Sequence, residues 1–134
     1  MNIQIVSITV TENNVNKGAI DGADLSFTFN PIKDKNNAWT HIDISWNLHL
    51  NCKDNCHINH TTKTVFSIKG IPYNSNLFDN DFMMLFAQLV QTSLSHARVH
   101  FVNKNGDIIE GIPAMIWFHE LFESIKDQII KHSN

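Results

Sequence analysis

The sequence predicts an α+β fold, in which a four-stranded antiparallel sheet is followed by two helices that pack on one of its faces. Two observations support this prediction. The first half of the chain alternates apolar and polar residues as strands do, and the second half repeats apolar residues at spacings of three and four. Strands followed by helices are typical of a layered α+β domain. Because the chain has 134 residues and shows no linker or internal repeat, we expect a single domain spanning 1–134.

Four segments of the first half are typical of strands, because they are short, β-branched or aromatic, and bounded by turn residues: 3–10, 25–29, 41–52 and about 56–69. The third is the clearest, since its even-numbered residues from Ile42 to Leu50 are apolar and its odd-numbered residues are polar. This pattern predicts a sheet with one buried and one solvated face. Residues 11–24 predict a loop, and Pro31 is expected to end the second strand because proline lacks the backbone N–H.

Two segments of the second half predict amphipathic helices. The first follows Asp79 or Asn80, either of which can cap a helix N-terminus, and it is expected to end near residues 98–103. The second is expected to start near Ala114. The apolar stripe of the first helix contains Phe82, Leu85, Phe86, Leu89, Val90, Leu94 and Ala97, and that of the second contains Ile116, Trp117, Leu121, Ile125 and Ile129.

Composition narrows the classes of function. The net charge is −3 and the chain has no basic block, so we expect no nucleic-acid partner. No apolar run approaches the ~20 residues that span a bilayer, and the first residues lack the basic start of a signal peptide, so we expect no membrane span and a cytoplasmic location. The sequence contains no phosphate-binding glycine loop and no nucleophile motif, so we expect neither an enzyme nor a cofactor.

One segment concentrates possible metal ligands: His49, Cys52, Cys56, His57 and His60. Zinc prefers cysteine and histidine in a tetrahedron, but the pattern Cys52-x3-Cys56 has no second pair of ligands in register with it. A hairpin with a three-residue loop would point the two cysteines inward and would point His49 and His57 outward. We therefore expect no metal site. A small metal-binding or ligand-binding α+β domain built on this Cys52/Cys56/His hairpin is kept as the alternative function.

A second polar cluster, His96, Arg98 and His100, lies near the end of the first predicted helix. Cations there complement the negative end of the helix dipole, and that structural role is the favoured interpretation. An enzyme or ligand-binding domain with a deep pocket that includes His96 and His100 is a further alternative.

Aromatic residues are numerous for a domain of this size, with nine Phe and three Trp. Eight of them exceed what a small two-layer core obviously needs: Phe27, Phe29, Trp39, Trp46, Phe66, Phe101, Trp117 and Phe118. Aromatic residues beyond the need of the core indicate an oligomer interface or an apolar groove. The other interpretation, that all of them are buried within one protomer, stays open at this point.

The order of several short motifs resembles the SecB-type chaperones and their SecB-like relatives, some of which serve toxin–antitoxin systems. The motifs are Asp24-Leu-Ser-Phe-Thr-Phe-Asn-Pro31, Val65-Phe-Ser-Ile-Lys-Gly-Ile71, Asp81-Phe-Met-Met-Leu-Phe86 through Ser93-Leu-Ser-His-Ala-Arg98, and Ile112-Pro113 followed by Phe118-His-Glu-Leu-Phe122. In the family they correspond to an early strand, the last strand, the long helix, and a proline-containing connector with the second helix. The resemblance covers most of the chain.

The resemblance implies an ATP-independent holdase that binds unfolded or nascent polypeptides, and it implies assembly as a homo-oligomer, either a dimer or a tetramer. Clients would lie in apolar grooves, for which the expected lining residues are Phe27, Phe29, Phe66, Ile68, Trp117 and Phe118. The chain also departs from the family. Residues 59–62 lack the acidic surface through which export members dock their motor, so a specialised relative is at least as well favoured as an export chaperone.

Overall fold

The computed structural model describes residues 3–15, 20–52, 57–72, 75–101, 113 and 115–131, and the structural statements below concern these residues. The chain is an α+β protein, which confirms the predicted fold class. Its elements in chain order are β1 (Ile3–Val15), β2 (Ile20–Lys33), β3 (Trp39–Cys52), β4 (His57–Ile71), α1 (Asn80–Arg98) and α2 (Phe118–Lys131).

The strands form one antiparallel sheet in the order β1-β4-β3-β2. β1 and β2 follow each other in the chain but lie at opposite edges of the sheet, and β4 and β3 lie between them. Phe27 of β2 pairs with Trp46 of β3, and Ile8 of β1 pairs with Thr64 of β4. Among the described residues, each of the two outer strands therefore has one neighbouring strand.

The outer strands are longer than predicted. Residues 11–15 continue β1 and residues 20–24 begin β2, so the predicted loop over 11–24 was wrong at both ends. Polar residues of low strand propensity are held in β1 because the long β4 offers its backbone groups as partners, as in the pairing of Asn13 with Asn59. β2 also continues through Pro31 to Lys33. An outer strand tolerates proline because the missing N–H leaves no neighbouring strand without a partner.

The core lies between one face of the sheet and the two helices. Along β3 the residues from Ile42 to Leu50 alternate between buried and partly exposed, which confirms the predicted buried and solvated faces. α1 packs against β3, β4 and α2, and α2 packs against β2. The buried indole of Trp46 donates its Nε1–H to the hydroxyl of Ser93 over 2.8 Å, which joins the sheet to α1. The core therefore contains a satisfied polar contact beneath the helix.

The helix boundaries follow from local hydrogen bonds. The carboxylate of Asp79 caps α1 by accepting the N–H of Asp81 over 2.8 Å, as predicted for this position, and Arg98 ends the helix. The predicted start of the second helix was four residues early, since 115–117 are not helical and α2 begins at Phe118. The reason is that the side-chain amide of Gln91 binds both backbone groups of Ile116, accepting its N–H over 3.3 Å and donating to its C=O.

Among the described residues, no helix has the length and apolar character that crossing a membrane requires. His96 and Arg98 lie in the last turn of α1, the position predicted for them. The side chain of Cys52 and residues 53–56 lie outside the described part of the chain, so the prediction for the Cys/His hairpin is not addressed by the structure.

Candidate functional site

An open groove with a volume of about 510 Å³ runs between β2 and α2. β2 forms one wall of the groove with Leu25, Ser26 and Phe27, and the indole of Trp46 from β3 forms its floor. Successive side chains of a strand point to opposite faces, so Leu25 and Phe27 both face the helices. The ring of Phe27 lies 5.0 Å from that of Trp46, measured between centroids. The accessible apolar side chains in this half of the groove are therefore those of Leu25 and Phe27, since Trp46 beneath them is buried.

The opposite wall comes from the connector before α2 and from its first turns. Pro113 and Ile116 belong to the connector, and Glu120, Leu121 and Ser124 belong to α2. Leu121 is buried, whereas the carboxylate-bearing Glu120 is exposed and Ser124 is partly exposed. The groove is thus apolar at its floor and polar along one rim. Gln91 fixes the connector through the two hydrogen bonds to Ile116 described above.

Gln128 of α2 lies where β2 continues past the groove. Its Nε2 donates to the C=O of Phe27 over 3.2 Å and to the hydroxyl of Ser124 over 3.3 Å. Its Oε1 accepts the backbone N–H of Phe29. We call this set of contacts the Gln128 clamp. It joins α2 to the outer edge of the sheet at the level of Phe27 and Phe29.

The structure separates the six residues predicted to bind clients. Phe27 lines the groove. Phe29, Phe66 and Ile68 do not, because they are buried in the core with 0%, 1% and 5% of their surfaces exposed, and this corrects the prediction for them. Phe29 contacts Phe86 of α1 with ring centroids 5.3 Å apart. Because the helices cover the inner face of the sheet, Phe29, Phe66 and Ile68 contribute to the packing of the core.

Trp117 and Phe118 lie at the junction of connector and helix and remain accessible. Trp117 is 73% exposed and Phe118 is 36% exposed. Neither residue is among those that line the groove, although both directly follow Ile116, which does. The C=O of Trp117 accepts the N–H groups of Glu120 and Leu121, which starts the helix and fixes the backbone there.

Sequence reasoning identified Phe27 but missed the other residues that line the groove, and it missed the Gln128 clamp beside them. Leu25 shares the alternation of Phe27, so its position on the inner face was available as a signal. Ile116 was assigned to the helix stripe, and only its hydrogen bonds to Gln91 show that it belongs to the connector. Gln128 gave no signal, because a glutamine between two apolar helix positions is expected at a solvated site.

The groove offers little chemistry beyond apolar contact and backbone hydrogen bonding. Of the groove-lining residues that the structure describes, Glu120 alone has an ionisable side chain. His96 and His100, considered for a ligand pocket, do not line it. Within the described ranges, no three His, Cys, Asp or Glu side chains lie together as a metal ion would require.

A second concavity, about 410 Å³, lies on the opposite and solvated face of the sheet. It is lined by hydroxyl and amide side chains and by one ion pair, in which Lys63 Nζ lies 3.4 Å from Asp43 Oδ2. Thr61 donates to the side-chain oxygen of Asn47 over 2.9 Å. The two faces of the sheet thus differ sharply, since one presents an apolar groove and the other a polar surface of nearly balanced charge.

β1 presents a third surface. Its large apolar residues remain exposed, with 47% for Ile5, 58% for Val6 and 43% each for Ile8 and Val10. Ile5, Ile8 and Val10 pair with Phe66, Thr64 and Thr62, whose side chains are buried on the inner face. Because paired residues share a face, the exposed residues of β1 continue the inner face beyond the part that the helices cover.

Comparison with known proteins gave no match, neither to a protein-family model nor to a curated protein sequence. The class of protein is therefore defined by the fold and the site: an α+β domain with an open aromatic groove beside an outer strand.

Proposed function

We propose that this protein is an ATP-independent holdase of the SecB-like type, which binds extended apolar segments of unfolded or nascent polypeptides. The observation that carries the proposal is the open groove between β2 and α2, with the rings of Phe27 and Trp46 at its base. An open groove beside an outer strand suits an extended chain, because alternate side chains can enter it while the backbone stays at the rim.

The character of the lining supports a polypeptide ligand over a small metabolite. A site for a small molecule places several convergent polar groups inside a concave pocket to fix the orientation of the ligand. Here the polar side chains of Glu120 and Ser124 lie on one wall, and the floor is aromatic. On such a surface an apolar side chain of the ligand is stabilised by removal of its surface from water.

Assembly through β1 forms part of the proposal, with a second copy of this chain as the partner. Four large apolar side chains on an outer strand are a liability for a monomer, since they add exposed apolar surface to unpaired backbone groups. A second β1 placed alongside would cover them and would pair the edge. We propose a dimer built this way, or a tetramer made from two such dimers.

The solvated face of the sheet bears on the choice between an export chaperone and a dedicated one. In the stretch 59–62, His60 and Thr62 are buried, so only Asn59 and Thr61 can face a partner there. Neither is acidic, and the nearby carboxylate of Asp43 is paired with Lys63. These observations favour a specialised relative in the cytoplasm that serves a dedicated client, such as a component of a toxin–antitoxin system, over one that docks an export motor.

The test is an aggregation assay in which guanidinium-denatured citrate synthase is diluted without ATP and light scattering is recorded. We expect suppression at near-stoichiometric ratios by the wild type and much weaker suppression by Phe27→Asp. Phe78→Asp is the matched control, because Phe78 is an exposed phenylalanine outside the groove. Equal suppression by both variants would place client binding elsewhere, and no suppression of several unrelated clients by the wild type would exclude a general holdase.

A further inference from the structure

The outer edge of β2 is occupied at one point by a side chain. A strand at the edge of a sheet presents backbone N–H and C=O groups that lack a neighbouring strand. At Phe27 and Phe29 those groups are taken by the Gln128 clamp, which accepts the N–H of Phe29 and donates to the C=O of Phe27 over 3.2 Å. One primary amide thus supplies both the donor and the acceptor that a residue of an added strand would supply.

This geometry identifies the chemistry that fits the edge. An amide N–H and an amide C=O that bind Phe27 and Phe29 of one strand edge are the groups that an extended polypeptide backbone would present there. The groove adjoins the same strand, and Phe27 belongs both to the clamp and, with Leu25 and Ser26, to the groove wall. An extended segment whose alternate side chains enter the groove would therefore bring its backbone to the position of the Gln128 amide.

We propose that the Gln128 clamp occupies the hydrogen-bonding positions of a bound strand. Extended polypeptides add to the edge of β2 by displacing the Gln128 side chain. This inference rests on the proposed function and specifies how the ligand is held. Displacement does not require the core to repack, because Gln128 is only partly buried whereas its neighbours Ile125 and Ile129 carry the packing of α2. Ser124, whose hydroxyl already accepts from Nε2, can keep one contact to the released amide.

The test combines one substitution with one change in the ligand. Gln128→Met keeps the length of the side chain but removes its hydrogen bonds to Phe27, Phe29 and Ser124. Gln88→Met is the matched control because Gln88 is exposed on α1. The probes are two short peptides of one sequence with alternating leucine and lysine, one of them N-methylated on alternate residues so that one edge cannot pair. Affinities are measured by fluorescence anisotropy on the full chain.

We expect Gln128→Met to bind the unmethylated peptide about tenfold more tightly than the wild type, since the peptide no longer competes with the clamp. Gln88→Met should match the wild type, and N-methylation should weaken binding to every protein. In NMR spectra of the wild type, the side-chain NH₂ signal of Gln128 should move towards its solvent-exposed position as the unmethylated peptide is added.

Two results would overturn the inference while leaving the proposed function intact. The first is equal affinity of the two peptides, which means that side chains alone hold the ligand. The second is that Gln128→Met binds the unmethylated peptide no more tightly than the wild type, which means that the amide is a permanent contact between α2 and β2. If neither peptide binds any variant and aggregation of citrate synthase is not suppressed, the proposed function fails as well.

Discussion

The two outer strands of the sheet have nearly equal lengths, 13 residues in β1 and 14 in β2, but they differ in what covers them. The inner face of β2 lies under α2, its residue Phe29 is fully buried, and its edge is bound by Gln128. The inner face of β1 carries exposed isoleucine and valine side chains. Among the described residues, the inner face of β2 is therefore covered, whereas that of β1 is left partly exposed.

This difference indicates which kind of partner each outer strand is suited to bind. A covered edge that is held by a single polar side chain can exchange that side chain for a ligand and return to its starting state. An uncovered apolar edge gains most from permanent coverage, because leaving it exposed costs about 25 cal/mol for each Å² of apolar surface. On the proposed function, β2 serves transient clients and β1 serves a second copy of the chain. Four predictions test this division between β1 and β2.

The difference between β1 and β2 should be clearest when a side chain is truncated and the free energy of unfolding is measured. Phe29→Ala should lower the free energy of unfolding by about 3–5 kcal/mol, since it removes a fully buried ring that contacts Trp39 and Phe86. Val6→Ala on β1 should cost less than about 1 kcal/mol. Urea unfolding at several protein concentrations measures both. A comparable loss at Val6 that does not depend on concentration would contradict the assignment of β1 as the uncovered strand.

Charges on the inner face of β1 should break the assembly. The double variant Ile8→Lys/Val10→Lys should weaken self-association at least about 100-fold while the chain stays folded, because both side chains are 43% exposed in the protomer. Thr9→Lys is the matched control, since Thr9 is exposed on the same strand and points to the opposite face. Sedimentation velocity gives the association state. A monomeric wild type, or a double variant that assembles like it, would contradict the proposed interface.

The exposed indole of Trp117, next in sequence to the groove residue Ile116, should matter for binding and little for stability. Trp117→Ala should reduce client affinity about fivefold, as expected for an accessible aromatic anchor, and should change the unfolding free energy by less than about 0.5 kcal/mol. Val99→Ala, which truncates a 61% exposed side chain just after α1, should change neither. Anisotropy titrations with an unfolded, alkylated protein would measure the affinity. Equal affinities for the two variants would exclude Trp117 from the binding surface.

The smallest effect concerns the part of the core next to β1. Thr64 pairs with Ile8 and Ile44, is fully buried, and has a hydroxyl for which the structure shows no hydrogen-bond partner. Thr64→Val should therefore raise the unfolding free energy by about 1 kcal/mol, because valine has nearly the same shape as threonine but lacks the unsatisfied buried hydroxyl.

Thr61→Val provides the contrast to that substitution. Its hydroxyl donates to Asn47 on the solvated face, so the change should lower stability by about 0.5–1 kcal/mol. Thermal unfolding of both variants distinguishes the two cases. A loss of stability at Thr64 would mean that its hydroxyl is satisfied in solution.

The elements that sequence predicts well here are those whose surroundings stay uniform along their length. β3 lies between β4 and β2 throughout, so its alternation continues from Ile42 to Leu50 without interruption. The start of α1 is marked by the cap at Asp79, which depends on neighbouring residues alone. The extensions of β1 and β2 through 11–24 could not be predicted, because polar residues are held there by pairing with distant strands.

The groove was predicted only in part, for a related reason. Alternation places Phe27 and Phe29 on the same face, but it does not tell which of them a helix will cover. That depends on where both helices lie against the sheet, since Phe29 contacts Phe86 of α1 and its backbone N–H binds Gln128 of α2, 99 residues further along the chain. Phe66 and Ile68 were misplaced in the same way, since α1 packs on β4 and buries them.

Pro31 has a consequence for the growth of the sheet. Residues 27, 29 and 31 share the same orientation in β2, so the backbone nitrogen of Pro31 faces the outer edge just as the N–H of Phe29 does. Proline offers no hydrogen there, and a strand added along this edge loses its ladder beyond Phe29. The edge can therefore pair with a short added strand, but it resists the continuous stacking of chains by which fibrils grow.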